Sequence, residues 1–360
     1  MKDSDIDTFV QEIIGWYSIN KRDLPWRHTQ NPYYIWLSEV ILQQTRVKQG
    51  LPYYEKFVNQ YPNIEDLAKA SEDEVLRTWQ GLGYYSRGRN LHHTAKYISL
   101  ELGGVFPGDY VSLLKLKGIG KYTAAAIASF AFGEQVAVVD GNVYRVLARY
   151  FGIETDIASS EGVRKFAELA QKLIPADDPG TYNQAVMEFG ALQCTPQKPN
   201  CLFCPLQTTC KAFHQGKQHI LPTKISKLKS RERHFHYLVL CQEGDLALKK
   251  RGADDIWGGL YDFPLLESGT AVSWETLLYE NKLEAFSENL RLQQESALFK
   301  HTLTHQKILA KFYQVVVLPP GLPKEWLENQ QFAFYSWEAV QNLPKPILID
   351  NYLKKKFLIK

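Results

Sequence analysis

The sequence lacks a long apolar run. None of its segments approaches the roughly 18 consecutive apolar residues that a membrane-spanning helix needs, and residues 1–7 lack the apolar centre of a secretory signal. We therefore expect a cytoplasmic protein that is not attached to a membrane.

The sequence also lacks a large excess of one charge. Its 42 lysines and arginines against 39 aspartates and glutamates give a net charge of only +3. This balance is too mild to establish a polyanionic partner, so a basic surface has to be argued locally. At 360 residues, 45% of them hydrophobic, the chain is long enough for two globular domains.

Cysteine is scarce, but four of the five cysteines are clustered. Cys194, Cys201, Cys204 and Cys210 are separated by six, two and five residues. In a cytosolic protein this tight spacing favours metal binding over disulfides. Four thiolates suit zinc or an iron-sulfur cluster, and the spacing leaves both open. Cys241 lies in an apolar, strand-like run, so we expect a small buried side chain there.

The segment from Leu113 to Asp140 predicts two helices joined by a tight turn. Gly118 and Gly120 lie in the turn, and an alanine-rich helix follows. Such a turn directs several backbone N–H groups at one point, where an anion such as a nucleic-acid phosphate can bind. Asp140 then precedes a segment with helical spacing, so we predict an acid held near a phosphate site.

An amphipathic helix is predicted to start at Asn31-Pro32 and to continue through Leu42–Val47. Its apolar stripe is formed by Tyr33, Trp36, Leu37, Val40 and Ile41. Glu39 lies off this stripe, so the pattern by itself favours a solvent-exposed glutamate.

Two tyrosines and two arginines lie in a glycine-rich segment, Gly81–Asn90, which we predict to be a loop. Aromatic rings interleaved with cations suit stacking on unpaired bases beside phosphates. A tight interhelical turn whose tyrosines pack onto the core explains the segment equally simply and, taken alone, better. Helical periodicity resumes at Leu91, and the chain up to Phe189 is predicted to be almost entirely helical.

The last third of the chain has a different pattern. Between Lys211 and His234 there are seven lysines or arginines and one acid, which predicts an exposed linker that could follow a phosphate backbone or simply be solvated. Beyond it we predict an α+β domain, with strands at 237–241, 246–248 and 308–318 and helices at 277–292 and 346–357.

Several motifs together resemble one known family. They are Trp36–Thr45 (WLSEVILQQT), Leu116–Thr123 (LKGIGKYT), Val139–Val143 (VDGNV) and the four clustered cysteines. In these motifs the chain is similar to the helix-hairpin-helix DNA glycosylases, and most of all to the members that remove adenine mispaired with 8-oxoguanine.

This resemblance implies a multidomain protein of base excision repair. We expect an all-α helix-hairpin-helix catalytic domain with an iron-sulfur cluster loop (1–215), a basic linker (216–232) and an α+β, Nudix-like domain that recognises 8-oxoguanine (233–360). The implied partner is duplex DNA with an A:8-oxoguanine or A:G mispair, bound by a monomer that associates with the nucleoid.

The resemblance also implies roles for side chains. The four cysteines would bind one 4Fe-4S cluster that orders a DNA-binding loop, Glu39 would be the general acid, and Asp140 would stabilise the sugar cation. Gln44 and Tyr84 match the positions that wedge into the duplex. Other residues match the adenine pocket or DNA contacts, namely Trp26, Arg27, Thr45, Gly118, Gly120, Asn142, Gln184, Thr304 and His305.

Cleavage of an N-glycosidic bond in this way requires one protonated and one ionised carboxyl group. We expect desolvation to raise the pKa of Glu39, and a helix N-terminus to favour the anion of Asp140. Glu188 is expected to be a structural helix residue beside the cluster.

Tyr122 distinguishes two branches of the family. Members that attack the sugar through a Schiff base carry a lysine at this position, just after the hairpin. Lys121 is one residue earlier, about 100° around a helix, and should face solvent or phosphate. The resemblance therefore implies a monofunctional glycosylase.

The sequence departs from the family pattern in two places. Leu303 stands where the lesion-recognition loop usually has an aromatic residue, before Thr304 and His305, so lesion recognition is expected to differ somewhat. Gly258-Gly259 is not followed by the glutamate-rich box of Nudix hydrolases, so nucleotide hydrolysis is not expected. Alternatives that remain are a pyrimidine glycosylase with lyase activity, a non-catalytic iron-sulfur DNA-binding protein and a Nudix nucleotide hydrolase.

Overall fold

The computed structural model describes residues 3–225, 231–252, 256–270, 272–303 and 305–357. The chain forms two compact units. The first comprises Met1–Lys69 and Asn90–Lys227, and the second comprises Ala70–Arg89 and Leu228–Lys360. An internal segment therefore packs with the C-terminal part of the chain. The domain boundaries that we infer from the sequence stay predictions.

The chain is helical up to residue 214, as predicted. In chain order the helices are α1 (Asp3–Asn20), α2 (Pro32–Leu42), α3 (Val47–Gln60), α4 (Ile64–Lys69), α5 (Glu72–Trp79), α6 (Tyr85–Glu101), α7 (Tyr110–Leu113), α8 (Lys121–Phe132), α9 (Gly141–Phe151), α10 (Ser160–Leu173), α11 (Pro179–Leu192) and α12 (Lys211–His214).

Two helix packings form most of the first unit. Helix α11 packs against α1, α8 and α9, and α2 packs against α8 and α3. Phe9, Phe166 and Phe189 are fully or almost fully buried in the core between α1, α9, α10 and α11. The alanines of α8 let neighbouring helices approach closely, which brings the start of α8 next to α2.

Helix α2 starts as predicted but ends sooner. The side chain of Asn31 accepts a hydrogen bond from the backbone N–H of Tyr33 and so caps the helix. The helix ends at Leu42, and Gln44 adopts a left-handed backbone conformation with φ of 55°. The prediction of a continuous helix through Leu42–Val47 is therefore wrong, because the chain turns there before α3 begins.

The predicted turn between α7 and α8 is present. Gly118 has φ of +79°, and a Cβ atom added to it would lie 2.6 Å from the Cβ of Asn90. Gly120 is the N-cap of α8 in an extended conformation, and a Cβ atom there would meet no atom within 4 Å. Glycine is therefore required by the local fold at Gly118 but not at Gly120.

The glycine-rich segment Gly81–Asn90 is only partly a loop. Helix α6 already begins at Tyr85, so the irregular part is confined to Gly81–Tyr84. The extended loop prediction is wrong, because Ser86–Asn90 continue the helix whose apolar residues start at Leu91.

The second unit is built around a mixed sheet. In chain order the strands are β1 (Arg231–Gln242), β2 (Asp245–Lys250), β3 (Tyr261–Asp262), β4 (Leu265–Ser268), β5 (Leu290–Glu295), β6 (Phe299–Thr302), β7 (Gln306–Val317) and β8 (Ala333–Tyr335). The strand order is β3-β2-β1-β7-β5, with β4 also paired to β1, β6 to β7 and β8 to β2. Strands β1 and β7 are parallel, with Tyr237 opposite Phe312, and the other pairs are antiparallel.

In the described part of the chain after β1, the sheet is accompanied by the helices α13 (Trp274–Glu280), α14 (Lys324–Gln330), α15 (Trp337–Asn342) and α16 (Ile347–Phe357). The predicted strands within β1, β2 and β7 and the predicted helix at 346–357 are confirmed. The helix predicted at 277–292 is wrong in its second half, because Leu290–Glu295 form β5 and pair with the edge of β7. An edge that needs a hydrogen-bonded partner overrides a weak helical pattern.

The basic stretch between Lys211 and His234 is not exposed throughout. Lys211 starts α12, Lys217 pairs with Glu154, and Arg231 begins β1. Arg233 is only 6% exposed and binds the carboxylate of Glu267. The prediction of an exposed linker is therefore wrong at both ends of this stretch. None of the helices in the described ranges is long and apolar enough to cross a membrane.

The two hairpin glycines give a matched test of the fold. We expect Gly118→Ala to lower the free energy of unfolding by about 1–3 kcal/mol, because the new Cβ atom would strain the backbone and collide with Asn90. Gly120→Ala should leave it nearly unchanged. Urea unfolding of both variants checks this, and equal losses of stability would contradict it.

Candidate active site

A cavity of about 590 Å³ opens in the first unit. It lies among α2, the turn after α2, and the residues around the start of α8, α9 and the end of α11. The residues lining it include Trp26, Arg27, Glu39, Thr45, Tyr122, Asp140, Asn142, Gln184 and Glu188. Residues that are up to about 160 positions apart in the sequence therefore meet at one site, and most of those predicted for catalysis or base binding are among them.

Glu39 is buried, contrary to the exposed position that the helical pattern favours. Its exposure is 7%, and its neighbours on α2 from Ile35 to Ile41 are buried too, so this helix has no solvent face. Burial raises the pKa of Glu39 to about 7. The Tyr122 hydroxyl and Arg27 favour the anion, whereas the nearby Asp140 disfavours it. A glutamate with such a pKa can hold a proton near neutral pH.

Asp140 caps the N-terminus of α9. Its Oδ1 accepts hydrogen bonds from the backbone N–H groups of Asn142 (2.8 Å) and Val143 (2.7 Å), and its Oδ2 accepts one from the side-chain amide of Asn142 (2.8 Å). Burial raises the pKa of Asp140 above its ordinary value, while these three donors lower it. The donors and the helix dipole therefore favour the anion against the effect of burial.

Tyr122 lies in the first turn of α8 and faces the cavity. Its hydroxyl forms a hydrogen bond with Glu39 and also lies 3.5 Å from the sulfur of Met187. Burial, followed by the negative charge of Glu39 and Asp140, raises the pKa of Tyr122 well above its ordinary value. Lys121 is exposed, as the helical spacing predicts.

Glu188 is a buried residue of α11 that lies in the wall of this cavity, and its position beside the cysteine cluster stays a prediction. Its carboxylate is 1% exposed and accepts hydrogen bonds from Arg22 (2.5–2.9 Å) and Arg27 (2.8–3.0 Å). Burial would raise the pKa of Glu188, but the bonds from Arg22 and Arg27 lower it to about 2. This paired carboxylate fixes the Arg27 guanidinium in the cavity.

Aromatic and amide groups complete the wall. The Tyr17 hydroxyl donates to Oε1 of Gln184 (2.9 Å), and the Arg27 guanidinium lies 5.5 Å from the centre of the Tyr17 ring. Trp26 is 8% exposed and packs edge-to-face against Tyr54. The wall thus offers an aromatic surface, an amide and a cation.

Arg145 is a residue of this site that sequence reasoning missed. Its guanidinium donates to Oδ1 of Asn142 (2.8 Å) and to the carbonyl groups of Gly190 (2.7 Å) and Cys194 (2.7 Å). Because Asn142 in turn binds Asp140, Arg145 orients a partner of the carboxylate. Its position three residues after Asn142 on a predicted helix was the available signal.

The four clustered cysteines surround one small cavity of about 30 Å³ in the first unit. Nη1 of Arg149 lies 3.4 Å from Sγ of Cys194 and donates to the carbonyl of Thr195 (2.7 Å). Within the described residues, no three His, Cys, Asp or Glu side chains are close enough together to hold a single metal ion. A 4Fe-4S cluster takes one thiolate for each iron, so its ligands surround a space instead of meeting at a point.

The remaining predicted DNA contacts lie outside the large cavity. Gln44 is exposed in the turn after α2, and Gly118 and Gly120 form the turn before α8. Tyr84 and His305 belong to the second unit, where both line a cavity of about 350 Å³. Thr304 lies outside the described residues.

Comparison with known proteins shows which family the chain belongs to. Residues 37–175 match the HhH-GPD superfamily base excision DNA repair protein, and residues 236–355 match a NUDIX domain. The chain is 32% identical over 355 residues to an adenine DNA glycosylase of Buchnera aphidicola, covering 97% of this chain and 99% of the relative. The chain belongs to the adenine DNA glycosylase family.

Further relatives agree with membership of the adenine DNA glycosylase family. The adenine DNA glycosylase of Mus musculus is 40% identical over 394 residues, which cover 92% of this chain and 76% of the relative. A thermostable thymine-DNA glycosylase has a similar structure, with a TM-score of 0.55, 32% identity and coverage of 59% of this chain and 98% of that chain. The protein is thus a DNA glycosylase of base excision repair, an enzyme that acts on N-glycosyl bonds.

The two buried glutamates of the site should respond in opposite ways to the same substitution. The folded-state pKa of Glu39 is raised to about 7. Its protonated carboxyl group therefore contributes fully to the free energy of unfolding below its unfolded pKa of 4.5, and this contribution is lost as pH rises through 7. Glu39→Gln should therefore raise the free energy of unfolding at pH 8, by roughly 3 kcal/mol at most, and much less at pH 5.

Glu188→Gln is the matched substitution. The folded-state pKa of Glu188 is about 2, so its stabilisation is present above pH 4.5 and is lost only as pH falls towards 2. We expect this variant to be about 3–5 kcal/mol less stable at both pH 5 and pH 8, because two guanidinium groups lose their partner. Urea unfolding at the two pH values checks both variants. A Glu39→Gln variant that is less stable than the unchanged protein at pH 8 would refute the raised pKa of Glu39.

Proposed function

We propose that the protein hydrolyses the N-glycosidic bond of adenine mispaired with 8-oxoguanine, or with guanine, in duplex DNA. The observation that carries this proposal is the pair of carboxyl groups in one cavity. Burial raises the pKa of Glu39 to about 7, whereas Asp140 accepts three hydrogen bonds at a helix N-terminus.

The two carboxyl groups suit the two demands of the reaction. Departure of adenine is easier when the base accepts a proton, and neutral Glu39 can give one. The sugar left behind develops positive charge, and the anion of Asp140 can stabilise it electrostatically. Glu39, once ionised, can then accept a proton from the attacking water.

The substrate base has to leave the duplex to reach these groups. Extrusion of a stacked base costs a few kcal/mol, which wedge residues can offset. Gln44 and Tyr84 have left-handed φ values of 55° and 47°, a conformation that costs non-glycine residues free energy and is found at functional sites. We assign them to the wedge, and we assign Trp26, Arg27 and Gln184 to binding of the extruded adenine.

The reaction is expected to stop after base release. A lyase needs an amine that attacks the sugar carbon, and the residue at the corresponding position is Tyr122. A tyrosine has no amine. The Tyr122 hydroxyl is also hydrogen-bonded to Glu39 and has a pKa raised well above its ordinary value, so it is a poor nucleophile.

We assign recognition of the base opposite adenine to the second unit. His305 is exposed just before β7 and lines the same cavity as Tyr84 and Leu303. The predicted contact of Thr304 stays part of this proposal. The missing aromatic residue at Leu303 is expected to weaken discrimination between 8-oxoguanine and guanine.

We further propose that Cys194, Cys201, Cys204 and Cys210 bind one 4Fe-4S cluster. Four thiols around one cavity, with Arg149 beside Cys194, suit a cluster of negative charge. When bound, the cluster would cross-link the loop 194–210. Arg145 and Arg149 already hold this loop through its carbonyl groups, so its shape would be stiffened next to the site.

Base release from defined duplexes tests the function. We expect alkali-sensitive cleavage of duplexes with A opposite 8-oxoguanine or G, and little with A opposite T. Glu39→Gln should lower the single-turnover rate by at least roughly 100-fold while DNA affinity is kept, because only proton transfer is lost. Glu55→Gln, on the exposed side of α3, is the control.

Three results would favour other functions. A borohydride-trapped protein–DNA adduct would indicate a lyase. Unchanged base release by Glu39→Gln, or no release from any duplex, would support a non-catalytic DNA-binding protein. Hydrolysis of nucleoside triphosphates with magnesium would support a Nudix hydrolase.

The cluster has its own test. The purified protein should contain about four irons and four sulfides per chain and show iron-sulfur charge-transfer absorption. Cys204→Ser should reduce both, whereas Cys241→Ser should keep them because Cys241 lies on β1 in the second unit. One zinc per chain in place of iron would overturn the proposal.

A further inference from the structure

The loop that carries Tyr84 belongs structurally to the second unit. This loop, Gly81–Tyr84, joins α5 to α6 and is part of Ala70–Arg89, a segment that the sequence alone assigns to the helical domain. Its neighbours in space are therefore residues that follow it by more than 150 positions. Three contacts join this segment to the rest of the second unit.

The first contact holds the start of α5. The carboxylate of Asp73 accepts a hydrogen bond from Nζ of Lys250 (2.6 Å) and another from the hydroxyl of Tyr261 (3.2 Å). Lys250 is the last residue of β2, and Tyr261 is the first residue of β3. Two paired strands thus fix the beginning of the segment.

The second contact reaches the loop itself. The hydroxyl of Tyr85 accepts a hydrogen bond from the backbone N–H of Gly81 (3.3 Å) and donates one to the carbonyl of Lys345 (3.4 Å). The backbone N–H of Lys345 also donates to the side chain of Gln80 (3.2 Å). Nζ of Lys345 is buried and caps the end of α15 by binding the carbonyl of Val340 (2.6 Å), so this anchor is itself fixed.

The third contact lies just after the loop. Nη1 of Arg89 donates to the carbonyl of Gly258, in the turn between β2 and β3. A buried ion pair supports this turn, since Arg251 binds both the carboxylate of Asp262 (2.5 Å) and the carbonyl of Ile256 (3.2 Å). The arginine is thus bound to a carbonyl group whose position is set by the core of the sheet.

The conformation of Tyr84 needs such support. Its φ of 47° is sparsely populated for a residue with a side chain and persists only when the surroundings hold it. Within the segment, Nε1 of Trp79 donates to the carbonyl of Gly83 (3.0 Å), and Arg87 lies over the Tyr84 ring. The second and third contacts described above hold the residues on either side of the same loop, and the first holds the start of the helix that leads into it.

We propose that the second unit positions the Tyr84 wedge, through the Gly258 carbonyl that binds Arg89 and the Lys345 backbone that binds Tyr85 and Gln80. Tyr85 and Arg89 are positioning residues that act through Tyr84. This inference rests on the proposed function, which assigns Tyr84 to base extrusion. It gives the second unit a part in extruding adenine besides recognition of the opposite base.

Base extrusion can be measured apart from chemistry. The probe is 2-aminopurine in place of the target adenine, opposite 8-oxoguanine, bound by the full-length protein with Glu39→Gln, which should bind without cleaving. We expect Arg89→Gln to lower the extrusion equilibrium about tenfold, in line with one charged hydrogen bond, and Tyr85→Phe about threefold, in line with two long neutral ones. Substitutions at Lys345 are avoided because its side chain caps α15.

A double-mutant cycle tests whether these residues act through Tyr84. In a Tyr84→Ala background, Arg89→Gln and Tyr85→Phe should have no further effect on extrusion. With Glu39 intact, each variant should slow adenine release by a factor that does not change with pH, because neither substitution alters the protonation of Glu39. Arg291→Gln and Tyr279→Phe, exposed in the same unit, are matched controls that should not change extrusion.

The outcomes separate the two proposals. If Tyr84→Ala leaves extrusion unchanged, the wedge assignment in the proposed function fails. If Tyr84→Ala impairs extrusion but Arg89→Gln and Tyr85→Phe do not, only the positioning role fails. If their effects persist in the Tyr84→Ala background, or appear only as a lower unfolding midpoint, the second unit does not act through Tyr84.

Discussion

Burial of the Glu39 carboxyl group is the constraint on which the large cavity of the first unit depends. A carboxylate withdrawn from water is unstable unless donors replace the lost hydration, so each acid of the cavity is governed by its donors. Asp140 has three amide donors, and Glu188 has two guanidinium groups. Glu39 has the Tyr122 hydroxyl and the positive charge of Arg27. One cavity therefore holds three carboxyl groups whose pKa values are set apart by their donors.

Helix α9 connects this cavity to the cysteine loop. Its N-terminus binds Asp140. About one turn and two turns along the same helix, Arg145 and Arg149 bind carbonyl groups of residues 194–196. Because an arginine presents several donors in a rigid fork, it can hold several backbone groups at once. A rigid helix with polar contacts at both ends thus gives the cysteine loop a structural link to the carboxyl groups. Through this link, the conformation of the cysteine loop can affect the geometry of the carboxyl groups in the cavity.

The two residues assigned to the wedge share a backbone feature but differ in what supports them. Gln44 follows α2 in the first unit, where the neighbouring Gln43 binds Thr123 of α8 (3.0 Å). Tyr84 follows α5 in the second unit, where the sheet and its turns hold both ends of the loop. In each case the strained residue lies next to one whose hydrogen bond fixes the turn. The first and the second unit of this chain therefore each carry one such residue.

The sequence by itself determined the family, the all-α and α+β classes, the clustered cysteines and most residues of the cavity, because motifs with fixed spacing and hydrophobic periodicity are local properties. Helical periodicity could not show that Glu39 is buried, which only the resemblance to the family implied, because burial of α2 depends on helices far away in the chain. Only the tertiary structure decided three further features. These are the partners of Glu188, the contacts of Arg145 and the packing of Ala70–Arg89 in the second unit. They depend on long-range packing and ion pairing, which leave no periodic signal in the sequence.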